Sequence, residues 1–158
     1  MKKVIITLTL MFLIIFTYAQ VMEADIVIDY SEASICGMDE ASFSQYETDW
    51  YKDKPDINYK MIREILDENE DCFICKKDAP NALLIKVRRI TENGGFLCNV
   101  KLVGSNKSII QLGDFSCSRG GKVGTKLNLI KDGAEKIGEE IGKALKRELQ
   151  KYLKNASR

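Results

Sequence analysis

Between Leu83 and Cys117 apolar residues alternate with polar ones in three consecutive runs, and this pattern limits the fold more than any other feature of the chain. Leu83, Ile85 and Val87 alternate with Lys86 and Arg88. Phe96, Cys98, Val100 and Leu102 form a second run, and Ile109 to Cys117 a third. A period of two puts every other side chain on one face, as in a half-buried strand. Asn93-Gly94-Gly95 and Gly104-Ser105-Asn106-Lys107 supply turn chemistry between the runs. The three runs therefore predict an antiparallel meander. Its second turn leaves the register open, with either Gly113 or Asp114 opposite Cys98.

The spacing then changes. After a glycine-rich basic loop, Arg119 to Lys126, apolar residues recur at three and four: Leu127, Ile130, Ala134, Ile137, Ile141, Leu145, Leu149 and Leu153. That is one long amphipathic helix. Asp132, with Glu135 three positions on, reads as a cap for its main body and offers a start there. Gly138 and Gly142 sit beside the stripe and predict close packing of this helix on the sheet.

Upstream, Ala24 to Tyr30 reads as a strand with Ile26 and Ile28 on one face, and Ser31 to Asp39 as a loop around Gly37. Phe43, Tyr46 and Trp50 recur at helical spacing, but Ser42-Phe43-Ser44 and Thr48 also suit a strand; both readings stay open. Pro55, in a turn from Lys52 to Asp56, is placed to open a helix. Ile57, Met61, Ile62, Ile65 and Leu66 form the apolar stripe of that helix. Cys72 to Cys75 reads as a short strand and Asp78 to Asn81 as a turn. The expected fold is α+β: a two-layer sandwich with a mainly antiparallel sheet of four or five strands, packed on one face by two helices. Its core is predicted to contain Leu83, Ile85, Val87, Cys98, Val100, Leu102, Ile137, Ile141 and Leu145.

The first residues point to export. Lys2 and Lys3 precede an apolar stretch from Val4 to Phe16, and Thr17-Tyr18-Ala19 places small residues where a signal peptidase cuts. The stretch is too short for a membrane span of roughly 20 residues. Residues 1–19 are thus expected to be a cleaved signal, leaving a single domain over 20–158 that starts at Gln20, in the periplasm or outside the cell. Its five cysteines, Cys36, Cys72, Cys75, Cys98 and Cys117, are an odd number, so at least one stays free or pairs between chains.

Charge divides the chain. Residues 20–71 hold 15 acidic and 4 basic side chains, whereas residues 72–158 hold 8 acidic and 18 basic. Either the halves pack together and neutralise each other, or a basic face meets an anionic partner. The expected partners are another envelope protein or an anionic surface component; nucleic acid is not among them.

Three motifs invite a chemical reading. Cys72-x-x-Cys75 has redox spacing, but a reactive pair needs a helix N-terminus, and Lys76-Lys77-Asp78-Ala79-Pro80 cannot begin one. In a strand the two side chains point to opposite faces, so even a mutual disulfide is awkward. Asp67-x-Asn69-x-Asp71 opens like a calcium loop, yet Cys72 stands where the glycine belongs, Asp78 where the bidentate glutamate belongs, and Pro80 bars an exiting helix. Asp67, Asn69 and Asp71 are cation candidates on that spacing alone, and Cys72 and Cys75 thiol candidates. Arg119 to Lys126 lacks the Gly-Lys-Ser/Thr order of a phosphate loop. The chain has no histidine, which excludes histidine-based triads and zinc hydrolysis. Neither catalysis nor a cofactor is expected, with a thiol-active or calcium-dependent role at Asp67 to Asp78 as the alternative.

The order strand, helix, short strand, meander, long helix resembles a class of exported bacterial envelope domains. It is similar to the periplasmic domains of penicillin-binding-protein activator lipoproteins and of the curli-secretion lipoprotein. The segments that carry the resemblance are Ala24 to Tyr30, Asn81 to Val87, and Gly133 to Leu149 with its Ile-Gly-x-x-Ile-Gly repeat. The resemblance implies a two-layer sandwich serving as a binding or accessory module, and it assigns no functional residues. The chain departs from that class in lacking the lipid-anchor cysteine, so membrane tethering is not carried over.

Overall fold

Chain order decides which strands can lie side by side. The computed structural model describes residues 21–156; the expected signal segment and Gln20 lie outside the described residues. Strand β1 (Met22–Asp29) leads through the two-residue strand β2 (Ser34–Ile35) to helix α1 (Glu40–Tyr46) and helix α2 (Trp50–Asp67). Strands β3 (Phe73–Cys75), β4 (Asn81–Ile90), β5 (Phe96–Val103) and β6 (Ile109–Cys117) follow, and helix α3 (Lys126–Ala156) closes the domain. The sheet order is β3-β1-β4-β5-β6, with β2 attached to the far end of β4.

The fold is α+β, and the meander β4-β5-β6 is antiparallel as its alternation predicts. The rest of the sheet corrects the expectation. β1 runs parallel to β4, from Ala24 opposite Asn81 to Asp29 opposite Lys86, and β3 and β2 are also parallel to their neighbours. The sheet is therefore mixed, with six strands. The cause is the connection after β1: two helices carry the chain back to the end where it began, so the next strand points the same way. No property of an individual strand reports that.

The second hairpin leaves its turn in one of the two expected registers, from Val103 opposite Ile109 to Lys101 opposite Gln111, but does not keep it as far as Cys98. Cys98 faces Phe115, because Leu112 is an extra residue between the pairs Lys101–Gln111 and Val100–Gly113. Gly113 takes φ +113 at this bulge, and a Cβ there would meet no atom within 4 Å. Glycine is present for its backbone freedom, not for lack of room.

The segment around Phe43 is helical. Asp39 caps α1, its carboxylate accepting the Ser42 N–H at 2.7 Å. Phe43 and Trp50 are buried and meet edge to face at 5.3 Å, with Tyr30 on the other side of Trp50 at 5.9 Å. The indole Nε1–H donates to Glu40, Lys54 donates to the same carboxylate, and the buried Tyr30 hydroxyl donates to Asn58. This cluster explains why α2 starts at Trp50 and not at Pro55, a second correction. Pro55 sits in the second helical turn and leaves the Tyr51 carbonyl without its usual N–H. Tyr51 is exposed, so water can serve that carbonyl, while buried Trp50 anchors the turn before it.

Ile57, Met61 and Ile65 of α2 and Ile130, Ala134, Ile137, Ile141 and Leu145 of α3 are buried in one cluster with Leu83, Ile85, Val87, Cys98, Val100 and Leu102 of the sheet. Every residue predicted for the core is there. Gly138 and Gly142 differ in partner from the expectation: they face α2 and not the sheet. A Cβ at Gly138 would lie 2.5 Å from the Met61 carbonyl oxygen. Contact with the sheet is made one turn earlier, where a Cβ at Gly133 would lie 1.8 Å from the Gly94 oxygen. α3 itself begins at Lys126, with Thr125 Oγ1 accepting the Asn128 N–H, so Asp132 and Glu135 are interior residues and not its cap. Glu135 instead pairs with Lys60 and Arg63 of α2, and Lys131 with Asp53 and Asp56. Pairs such as these, with Lys86 and Arg88 on Glu32 and Lys76 on Glu23, join the acidic half to the basic half.

Candidate ligand groove

Where β1 begins, three features of the fold converge. β3 lies on one side, the turn between β5 and β6 on the other, and the last turns of α3 pass overhead. Asn81, the first residue of β4, ties the floor together. Its Nδ2 donates to the Glu23 carbonyl at 2.8 Å and its Oδ1 accepts the Ser105 N–H at 3.1 Å. The turn is rigid in its own right: Ser108 O accepts the Gly104 N–H, Asn106 Oδ1 accepts the Ser108 N–H, and Lys107 holds φ +63. A cleft of about 280 Å³ opens between Val21, Met22, Cys72, Leu149 and Tyr152. A second of about 160 Å³ continues from it past Gly104, Ser105 and Ser108 to Ile110. Both share Met22, Asn81 and Tyr152, so together they form one groove. Tyr152 is 54% exposed and Leu149 is buried, which gives the groove an aromatic lip over an aliphatic wall.

The groove can bind but has little to react with. Its thiol, Cys72, is pushed above the ordinary thiol range by burial, against a smaller downward pull from Lys146. That is opposite to the shift a reactive thiol needs. The sulfur donates weakly to Asn69 Oδ1 at 3.7 Å. Cys75 is exposed at the end of β3, and all five thiols are free. Burial likewise raises Cys36 and Cys117, and lifts Cys98, under the inner face of the sheet, to about 12.

The cation candidates are not brought together. Asn69 is fully buried, and its Nδ2 donates to the Ile65 carbonyl at 2.8 Å and the Gly142 carbonyl at 2.9 Å. It is a cross-link between α2 and α3. Asp67 lies 4.0 Å from Arg63, and Asp71 is exposed. Among the described residues no group of three acidic, cysteine or histidine side chains is placed to hold a metal ion. The start of the glycine-rich loop is held by its own contacts, while Lys122 to Thr125 are exposed. Lys136 reaches the carbonyls of Arg119 and Gly120, and Gly120 packs against the Leu129 backbone.

Reading the sequence missed the groove, since its lining comes from five segments with no shared motif. Asn69 did leave a signal: it continues the Ile57, Met61, Ile65 stripe by one further step of four. No family model matches the sequence, and no curated protein matches it.

Proposed function

We propose that this chain is an exported, non-catalytic binding or accessory module of the bacterial cell envelope, and that the groove under Tyr152 is its contact surface. The observation that carries this reading is the groove itself: an apolar channel with polar turn residues at one end and a thiol held protonated by burial. Such a site suits an apolar side chain or acyl group of a partner, oriented by a few polar contacts. Among the described residues no helix is long and apolar enough to cross a membrane. The signal-like N-terminus supports release into the periplasm or beyond, and another envelope protein fits the groove better than an anionic surface component would.

The test is site-specific photocrosslinking in a bacterium that exports the full chain, with a benzophenone side chain at position 152 and a control at exposed Tyr59 on α2. The reading expects one adduct, identified by mass as an envelope component, at 152 and not at 59. Equal labelling at both positions, or none at 152, counts against it. Intact mass of the exported protein tests the address: a chain starting at Gln20 supports cleavage after Ala19, and an uncleaved chain refutes it.

A further inference from the structure

β1 is an interior strand for only part of its length. On the side away from β4 it pairs with β3 from Met22 to Ala24 and, among the described residues, with no strand beyond. The direction of its backbone groups follows from the bonds present. Met22 N–H donates to Cys72 O and Ala24 O accepts from Lys76 N–H, so even-numbered residues bond toward β3. Glu23 O accepts from Asn81 on the opposite side. In a strand these directions alternate, so Ile26 and Ile28 aim both N–H and C=O past the end of β3. Among the described residues none of those four groups has a hydrogen-bond partner. Ile26 is buried and Ile28 half-buried as whole residues. Backbone donors and acceptors without a protein partner are satisfied by water or by an added strand.

The surroundings say what would satisfy them. The connection from β3 to β4 crosses the outer face of β1 and is tied there by Lys76 to Glu23 and by the Asp78 N–H to Asp25, which ends the covered part of the strand. Past it, the side chains beside the open edge are Val27, 42% exposed, and Asp29 on the outer face, and Ile26 and Ile28 on the inner. Among the described residues neither Asp25 nor Asp29 is in an ion pair, whereas Glu23 and Glu32 are.

We propose that this slot, collinear with β3, receives an extended segment of a partner protein as an added strand, apolar on its inward side and basic on its outward side. The occupant is an extended backbone because only that offers donors and acceptors at strand spacing to Ile26 and Ile28. It is basic because Asp29, at the open part of the edge, is in no ion pair among the described residues: it accepts the Ser31 N–H, and Lys86 and Lys54 act on it only from beyond ion-pair distance. Inward apolar residues continue the row of Ile26 and Ile28. The slot is separate from the groove under Tyr152.

The probe is an eight-residue Lys-Val alternating peptide titrated into the ¹⁵N-labelled protein, beside its Glu-Val counterpart and a Lys-Val peptide N-methylated at alternate residues. The expected result is amide shifts centred on Ile26 and Ile28, with exchange of those amides slowed about tenfold at saturation by the first peptide only. Asp29→Lys is expected to weaken it about fivefold, and Tyr152→Ala to leave it unchanged. Shifts centred elsewhere, no binding at millimolar peptide, or equal binding by the acidic or N-methylated peptide would overturn the proposal. Shifts at Ile26 and Ile28 that grow with protein concentration alone would assign the slot to a second copy of this chain and overturn it as stated.

Discussion

Along β4, Leu83, Ile85 and Val87 are fully buried under the helices, while Leu84 and Lys86, one position away, stand on the opposite face with only partial cover. The inner face is a closed assembly: α3 meets α2 and the turn at Gly94 so closely that glycine is required where backbones meet. The outer face carries Val27, Ile74 and Ile109 in the open and a rim of exposed ion pairs such as Arg88 with Glu32. One sheet thus separates two regimes. Substitutions inside should be felt in kilocalories, and those outside in binding, if at all.

The largest effect is expected at Gly133. An alanine there sets a Cβ against the Gly94 backbone, which has no rotamer to yield. Gly133→Ala should cost about 3 kcal/mol or more in urea unfolding; a loss under about 1 kcal/mol would show the helix-to-sheet contact to be slack. Asn69→Ala comes next, at about 2 kcal/mol, because two buried carbonyls lose their donor. Unfolding of the variant at neutral pH measures it.

Burial of Cys98 makes a third prediction. Its folded value, about 12, lies above that of the unfolded thiol. The stability this supplies is complete below the unfolded thiol range and is lost as pH rises through the folded value. Cys98 alone should account for about 1 kcal/mol of loss between pH 9 and pH 10. Cys98→Ala should flatten that limb, and native-state alkylation should reach exposed Cys75 long before Cys98. The smallest effect belongs to the other face. Val27→Ser should change stability by no more than about 0.5 kcal/mol; a cost near that of Asn69→Ala would erase the distinction between the faces.

The inner face was also the legible one. Period-two alternation named the meander and spacing of three and four named α3, because in both cases the residue that repeats is the residue that packs. What escaped the sequence depended on distant partners. The parallel pairing of β1 follows from a crossover, the start of α2 from Trp50 docking on Tyr30 and Phe43, and the register of β6 from a bulge with no composition of its own. Asn69 shows the boundary most clearly. The run Asp67-Glu68-Asn69-Glu70-Asp71 reads as uniformly polar, yet geometry sorts it residue by residue and buries the one side chain that is neutral. The groove and the open edge of β1 left no trace, since unpaired backbone groups are invisible in side-chain patterns.

The place of β1 in the sheet has a bearing on the order of assembly. β4, β5, β6 and α3 are consecutive and close on one another through short turns. β1 is the first of the described elements but lies between β3 and β4 in the sheet, and Ala24 meets Asn81 only after both intervening helices have been spanned. Closing that long loop costs more entropy than closing a hairpin, which favours forming the C-terminal half before the N-terminal strand is inserted. Until it arrives, β4 is an edge, and the half-built sheet presents a bare strand to whatever is nearby.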